Sequence, residues 1–446
     1  MDASDLLHAH AVNLEHYWMP FTDNRRFKAK PKLVVAAKDL YFTTADGRQV
    51  LDGLATLWCV NAGHARPKIV EAIRAQAGEL DYASSFALGH PLPFRLAERI
   101  AALAPRGMGH VFFTSSGSEA VDTALKIAIA YHRLRGEGTR TRFVGREKSY
   151  HGVNIAGLSL GGLGANRKAF SGSLLPNVDH LRHTHGVAGN LFSRGQPAHG
   201  AELANELEER ILALHDASNV AAVVVDPVSA SGGVLVPPRG YLERLREICT
   251  RHGILLVFDE VITGWGRLGA PFAAQRFGVE PDLITFAKGV TSGSVPLGGV
   301  IVKDAIYRAF MEASGAGIEF LHGYTYSGHP LACAAALAAL DVYEEEDLFN
   351  RASSSAPVFE QHVHALKGLP NVVDCRNIGL LGAVELASRP GAYGERGNEA
   401  FERCWEKGVF VRPVGDSLAF CPPLTIGKPE LERLFCTVAE VLGALA

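Results

Sequence analysis

Between residues 110 and 290, short runs that are apolar at every position alternate with stretches that are apolar at helical spacing. His110 to Thr114 reads as a short buried strand. A Ser/Gly turn follows, then Ala120, Ala124, Ile127 and Ala128 fall on one face of a helix that runs to about Leu134. Arg142 to Gly145, Val220 to Val225, Ile254 to Phe258 and Leu283 to Phe286 are further strand candidates. Tyr241 to His252 is an amphipathic helix that Gly253 stops. Strands without polar alternation are buried on both faces, which is the habit of parallel sheets, and their alternation with helices predicts a doubly wound α/β layer.

From about His322 the pattern changes. An Ala-rich helix, Pro330 to Glu344, leads into a polar stretch and a second helical segment. Short strands are expected near Gly379 to Leu386 and Val409 to Val414, and a last helix over Pro429 to Leu442. The expected organisation is therefore a large domain over residues 64–321 and a smaller α+β domain over 322–446, joined by the N-terminal segment 1–63. The acidic run Glu344 to Asp347 is expected at a helix end facing water.

Composition narrows the function classes. With a net charge of −3, nothing favours nucleic acid or an anionic membrane as a partner. No apolar run spans a bilayer, and the N-terminus, with His8, His10 and Glu15, lacks the layout of a secretory signal. The seven cysteines are scattered without a Cys-x-x-Cys, as expected of reduced thiols in the cytoplasm and not of a structural zinc site.

In open α/β sheets, ligands bind beyond the carboxyl ends of the strands. The residues there are Ser115 to Ser118, Tyr150-His151-Gly152, Asp226, Asp259 and Lys288. Ser116 to Glu119 has the pattern of a capping box, and a helix N-terminus with Gly117 and two hydroxyls suits a phosphate. Taken alone it is equally an ordinary capped helix. Asp259 ends an apolar strand and needs a partner; a protonated pyridine nitrogen is one, and a following turn is another. Lys288 is either a solvated surface lysine or an amine whose pKa burial lowers until it can form an imine. Tyr150 and His151 could stack on a ring or simply pack. Together the set fits pyridoxal 5'-phosphate.

Weaker signals compete. Gly157-Leu158-Ser159-Leu160-Gly161 has the Gly-x-Ser-x-Gly spacing of serine hydrolases, but Gly162-Leu163-Gly164 is a poor helix start. His180, His183 and His185 have no carboxylate or cysteine at obvious ligand spacing, and a solvated loop is expected there.

The chain resembles the class III (ω-amino acid) aminotransferases. The stretches that carry the likeness are Leu255 to Gly264 with Asp282 to Gly289, Ser115 to Ala120, Tyr150 to Gly152, and His322 to Pro330. His16 to Phe21, Arg167-Lys168 and Val409 to Arg412 are similar to the β-alanine–pyruvate (ω-amino acid–pyruvate) branch. The resemblance implies fold type I, a mostly parallel seven-stranded sheet flanked by helices, and a small domain drawn from both termini. It implies that Lys288 holds the cofactor as a Schiff base, Asp259 meets the pyridine nitrogen, and Val261 lies under the ring with Tyr150 over it. His151 and Gly152 would join the cofactor site, and Ser116, Gly117 and Ser118 would hold the phosphate. Thr325 would reach the phosphate of a neighbouring subunit, in a homodimer or homotetramer with the active site at the subunit interface. Arg412 would clamp a substrate carboxylate, with Trp58 and Phe21 lining the pocket. Asp226-Pro227 stands where the family carries Glu-Pro, so altered contacts near the cofactor are expected.

The implied reaction moves an amino group from an ω-amino acid or primary amine to pyruvate by a ping-pong route. Alternatives of the same fold are a 4-aminobutyrate or diamine transaminase, a decarboxylating transaminase, an aminomutase, or a cofactor-binding regulator. From another class, a hydrolase using Ser159 is the rival.

Overall fold

Alternate residues of one buried strand feed two separate cores. Leu256 and Phe258 pack into one hydrophobic cluster with Leu242, Leu245 and Ile248, whereas Leu255 and Val257 pack into another with Val121, Ala124 and Ala128. This period of two, with both faces covered, is why the strand shows no polar alternation. The helices Tyr241–Arg251 and Gly117–Leu134 thus lie on opposite faces of the sheet, giving a three-layer α/β/α arrangement. The structure, a computed structural model, describes residues 12–445 except 314 and 316; His8 and His10 lie outside the described residues.

The central sheet has seven strands in the order His110–Thr114, Gly298–Val302, Leu283–Phe286, Leu255–Asp259, Val220–Val225, Arg142–Arg146, Val178–Leu181. Gly298–Val302 runs antiparallel to both neighbours, and the other pairings are parallel. Five of these strands and the two flanking helices lie where the apolar pattern puts them, within a residue or two at their ends. Val178–Leu181 is a correction. It carries Asp179 and His180, so a stretch expected as a solvated loop is an edge strand, only its Leu181 fully buried.

Two smaller sheets lie outside this layer. Val34–Lys38, Tyr41–Thr44 and Gln49–Asp52 form an antiparallel run to which Val409–Phe410 adds in parallel. Val372–Ile378, Leu381–Leu386, Ser417–Phe420 and Arg412–Val414 form an antiparallel sheet. The single strand expected over Val409 to Val414 is therefore two, and they belong to different sheets. The Ala-rich helix is Pro330–Glu345 and the last helix Lys428–Gly443. In the acidic run, Glu344, Glu345 and Glu346 pair with Arg99, Lys68 and Arg66. No helix among the described residues is long and apolar enough to cross a membrane.

Candidate functional site

Strand ends and two loops enclose a cavity of about 550 Å³ at the carboxyl edge of the sheet. Phe21, Trp58, Gly117, Ser118, Tyr150 and His151 line it. So do Gly152, Asp259, Val261, Lys288 and Arg412. Eleven of the thirteen expected site residues thus converge, from segments far apart in the chain.

Asp259 ends its strand with both oxygens engaged. Oδ2 lies 2.8 Å from Nδ1 of His151, and Oδ1 accepts from Thr285 Oγ1 at 3.1 Å and the Val261 amide at 3.2 Å. His151 and Asp259 are both buried, and the other ring nitrogen of His151 has no partner among the described residues.

The Ser/Gly turn opens the helix Gly117–Leu134. Ser116 is its N-cap, accepting from the Glu119 amide at 3.2 Å, and the Glu119 carboxylate accepts from the Ser115 amide at 2.7 Å. The Ser116 hydroxyl thus caps the helix, and the residue is not among those lining the cavity. Gly117 lies in close approach: a Cβ there would sit 3.0 Å from Val261 Cγ2, tighter than ordinary contact, so Val261 would have to shift. Ser118 Oγ accepts from the Val153 amide at 3.1 Å, locking the second loop, where Gly152 takes φ +102° and a Cβ would collide with Ser118.

Lys288 follows the strand Leu283–Phe286 with φ +47°, a left-handed conformation uncommon for a lysine. Its amine makes no hydrogen bond or ion pair with a described residue, and burial pushes its pKa down, with Arg412 adding to the effect. Arg412 is likewise without a carboxylate, and burial lowers its pKa too. What both cations share is the Trp58 ring, with Lys288 Nζ 5.6 Å and Arg412 Cζ 5.2 Å from its centroid. Burial, with the nearby Asp259 charge, raises the Tyr150 pKa, so its phenol is neutral at ordinary pH.

Thr325 does not line this cavity. It is exposed, and its carbonyl accepts from the Tyr82 hydroxyl at 2.9 Å. The cavity also includes Leu57, Leu163, Asn166, Val228 and Ser231, which sequence reasoning missed. Ser231 follows the Asp226-Pro227 strand end and was findable by the same strand-end rule; loop residues such as Asn166 carry no such signal. Asp226 lines the cavity, but its carboxylate is turned to Arg146 at 3.0 Å and Ser229 Oγ at 2.7 Å.

The rival motifs are absorbed by structure. Ser159 lies inside the short helix Ile155–Leu160, donating to the Ile155 carbonyl at 2.6 Å and accepting from the Leu175 amide at 2.8 Å. It is not on a strand-to-helix elbow, although a short helix, Gly164–Ala169, does follow. His180 contacts the Leu160 and Gly161 carbonyls. The fold brings carboxylates to His185 that sequence spacing hid, Asp374 and Glu385, and Arg376 bonds to both.

Residues 24–442 match the family model described as Aminotransferase class-III. The chain is 56% identical to an omega-aminotransferase of Caulobacter vibrioides, over 97% of this chain and 98% of that one. It is 51% identical to a beta-alanine–pyruvate aminotransferase of Pseudomonas aeruginosa, over 98% and 97%. Among solved structures, an (S)-enantioselective omega-transaminase from Thermomicrobium roseum superposes with TM-score 0.90 at 35% identity, covering 99% of this chain and 98% of that one. A PLP-bound amine transaminase from an uncultivated Pseudomonas species gives 0.89 at 35% identity, over 97% and 99%.

Proposed function

Because the chain belongs to the class-III aminotransferase family, we propose that it transfers the amino group of a β-alanine-like ω-amino acid, or of a primary amine, to pyruvate, releasing alanine in a ping-pong cycle. The fold is type I, the protein is an aminotransferase, and its cofactor is pyridoxal 5'-phosphate. The residues present fit that group. A glycine turn that a Cβ would crowd opens a helix of 18 residues, a buried carboxylate ends another strand of the same sheet, and an amine with no described hydrogen-bond partner shares their cavity.

Gly117, Ser118 and the free amides of the turn would hold the phosphate, with Ser116 shaping the turn as its cap. Asp259, steadied by His151 and Thr285, would hold the positive charge of the pyridine nitrogen. Val261 and Tyr150 would flank the ring, and Gly152 would keep the Tyr150 loop against Ser118. Lys288 would attach the cofactor covalently. When bound, the cofactor supplies an electrophilic carbon for the amino group and a cationic ring that draws off electron density. Low pKa lets the freed Lys288 Nζ take a proton from the donor's carbon and return it. Arg412 would offer its guanidinium fork to the carboxylate of pyruvate, with Trp58 and Phe21 shaping the space beside it.

What supports the acceptor is Arg412: a half-buried guanidinium without a carboxylate, in the same cavity as the unpartnered Lys288 amine. In the test, β-alanine added without acceptor changes the visible absorbance of the cofactor-loaded protein, and pyruvate restores it with formation of alanine. Carbon dioxide release, or isomerisation without an acceptor, would point to a decarboxylating enzyme or a mutase instead.

We also propose a homodimer, or a tetramer built from it. Phe86, Leu88, Phe94, Leu321 and Tyr326 are exposed. Their segments are joined, the Ser85 hydroxyl to the Ser327 carbonyl and the Tyr82 hydroxyl to Thr325. A second copy covering them would bring Thr325 to the neighbouring site, and light scattering reads the assembly. The division into 1–63, 64–321 and 322–446 is supported by the pairing of Gln49–Asp52 with Val409–Phe410. Seven free cysteines favour a cytoplasmic location.

A further inference from the structure

Trp58 stands on a backbone that the chain does not adopt unaided. Ala55, Thr56 and Trp58 have φ values of +49°, +61° and +59°, left-handed positions that none of these residue types favours, least of all the β-branched threonine. Something must over-determine this turn, and the contacts converge on one side chain. Asp52 is fully buried. Its Oδ1 accepts from the Leu54 and Thr56 amides, each at 3.0 Å, and its Oδ2 accepts from the Thr56 amide at 2.7 Å and the Thr56 hydroxyl at 3.3 Å. The same Oδ2 lies 2.8 Å from Nε2 of His64, whose ring packs edge-on against Phe42.

Asp52 also sits where the two substrate-side elements meet. Its strand pairs with Val409–Phe410, Asp52 opposite Phe410, and the Gly53 amide donates to the Phe410 carbonyl at 2.9 Å. Arg412 lies two residues further on. One buried carboxylate therefore ties down the turn that carries Trp58 at the root of the strand that leads to Arg412. Arg412 has no ion pair with a described residue and rests on the Trp58 ring.

We infer that Asp52, oriented by His64, is a positioning residue that sets acceptor specificity: by locking the left-handed turn it holds the Trp58 ring under Arg412 and keeps that guanidinium set for a carboxylate. This rests on the pyruvate reading above. Asp52 touches neither substrate nor cofactor, so its effect is confined to the partner that needs Arg412.

The test uses the cofactor-loaded enzyme. Asp52→Asn keeps the shape but turns one acceptor oxygen into a donor, and it raises KM for pyruvate about tenfold, the scale of one charge-assisted bond. KM for a carboxylate-free amine such as 1-phenylethylamine and kcat at saturating pyruvate change less than about twofold, because Asp259 and the Ser/Gly turn that hold the cofactor are untouched and the amine does not need Arg412. In a Trp58→Ala background the same substitution adds nothing. Trp58 emission, isolated by difference from Trp58→Phe, becomes more open to acrylamide quenching in Asp52→Asn. Equal rises in both KM values, a full effect retained without Trp58, or unchanged quenching would overturn the assignment. Should Asp52→Asn fail to fold, His64→Phe, which keeps the ring on Phe42 but loses the donor, gives a smaller rise selective for pyruvate; a non-selective effect there refutes it equally. If the unaltered enzyme does not use pyruvate, the acceptor reading fails, while the quenching comparison still decides whether Asp52 holds Trp58.

Discussion

The Asp259 side of the cavity and the Trp58 side are held in opposite ways. Around Asp259, polar groups other than the second ring nitrogen of His151 are spoken for by the protein: both carboxylate oxygens are bonded, Ser118 accepts from the Val153 amide, and the helix start is capped by Ser116 and Glu119. Around Trp58, the Lys288 amine and the Arg412 guanidinium face one aromatic ring, and neither is paired with a described carboxylate. A group that stays bound through many turnovers is best met by donors and acceptors fixed in advance. A site that, on the proposed reading, must take an ω-amino acid or a carboxylate-free amine in one half-reaction and a keto acid in the other keeps its charge uncommitted.

Substitutions can break that contrast. The largest effect is expected at Lys288. Lys288→Ala removes both the attachment point and the base, and turnover falls on the order of 10⁴-fold or more, read as single-turnover amine transfer. Next is Asp259→Asn, which keeps the volume but removes the charge; kcat drops roughly 10²- to 10³-fold with KM values little changed, measured by steady-state kinetics with β-alanine and pyruvate. On the other side, Arg412→Ala raises KM for pyruvate about 10- to 100-fold and leaves a neutral amine nearly unaffected, the loss expected of a hydrogen-bonded charge pair. If it affects both substrates equally, the uncommitted side is not a carboxylate site.

The smallest effect concerns stability without cofactor. Burial depresses the folded pKa of Lys288 below its ordinary 10.5, so folding disfavours its ammonium form. That penalty is present in full below the folded pKa and fades as pH rises from there toward 10.5. Lys288→Met therefore stabilises the cofactor-free protein by about 1–2 kcal/mol at neutral pH, since it removes an amine whose charged form burial disfavours and no described carboxylate pairs. In thermal melts its advantage over the parent shrinks as the solution is made alkaline. The matching change at Asp259, Asp259→Leu, destabilises, because it strands His151 and Thr285.

The same contrast governs what the sequence could tell. Asp259 and Lys288 were readable because each follows a run buried on both faces, and a polar residue at such an end needs a reason. Ser116 was placed by its capping spacing, but spacing could not say that its hydroxyl would be spent on the Glu119 amide. Gly298–Val302 escaped notice because nothing in an apolar run announces that it will be antiparallel. Asp52 escaped for a stronger reason: it looks like any polar residue at a strand end, and its partners are backbone amides whose left-handed course no local pattern reveals. His185 met Asp374 and Glu385 only through the packing of distant strands.

That antiparallel strand also fixes when the enzyme can become competent. His110–Thr114 is an edge strand whose one neighbour in the sheet is Gly298–Val302, and a Cβ at Gly298 would press on the Ser116 carbonyl. The turn that follows the edge strand leaves the ribosome early, yet it has no seat until almost two hundred further residues have been made and folded back. Pairings this distant in the chain form slowly. In refolding, amide protection of Val111 to Phe113 should therefore arrive with that of Val300 and Ile301, after the parallel strands are already shielded.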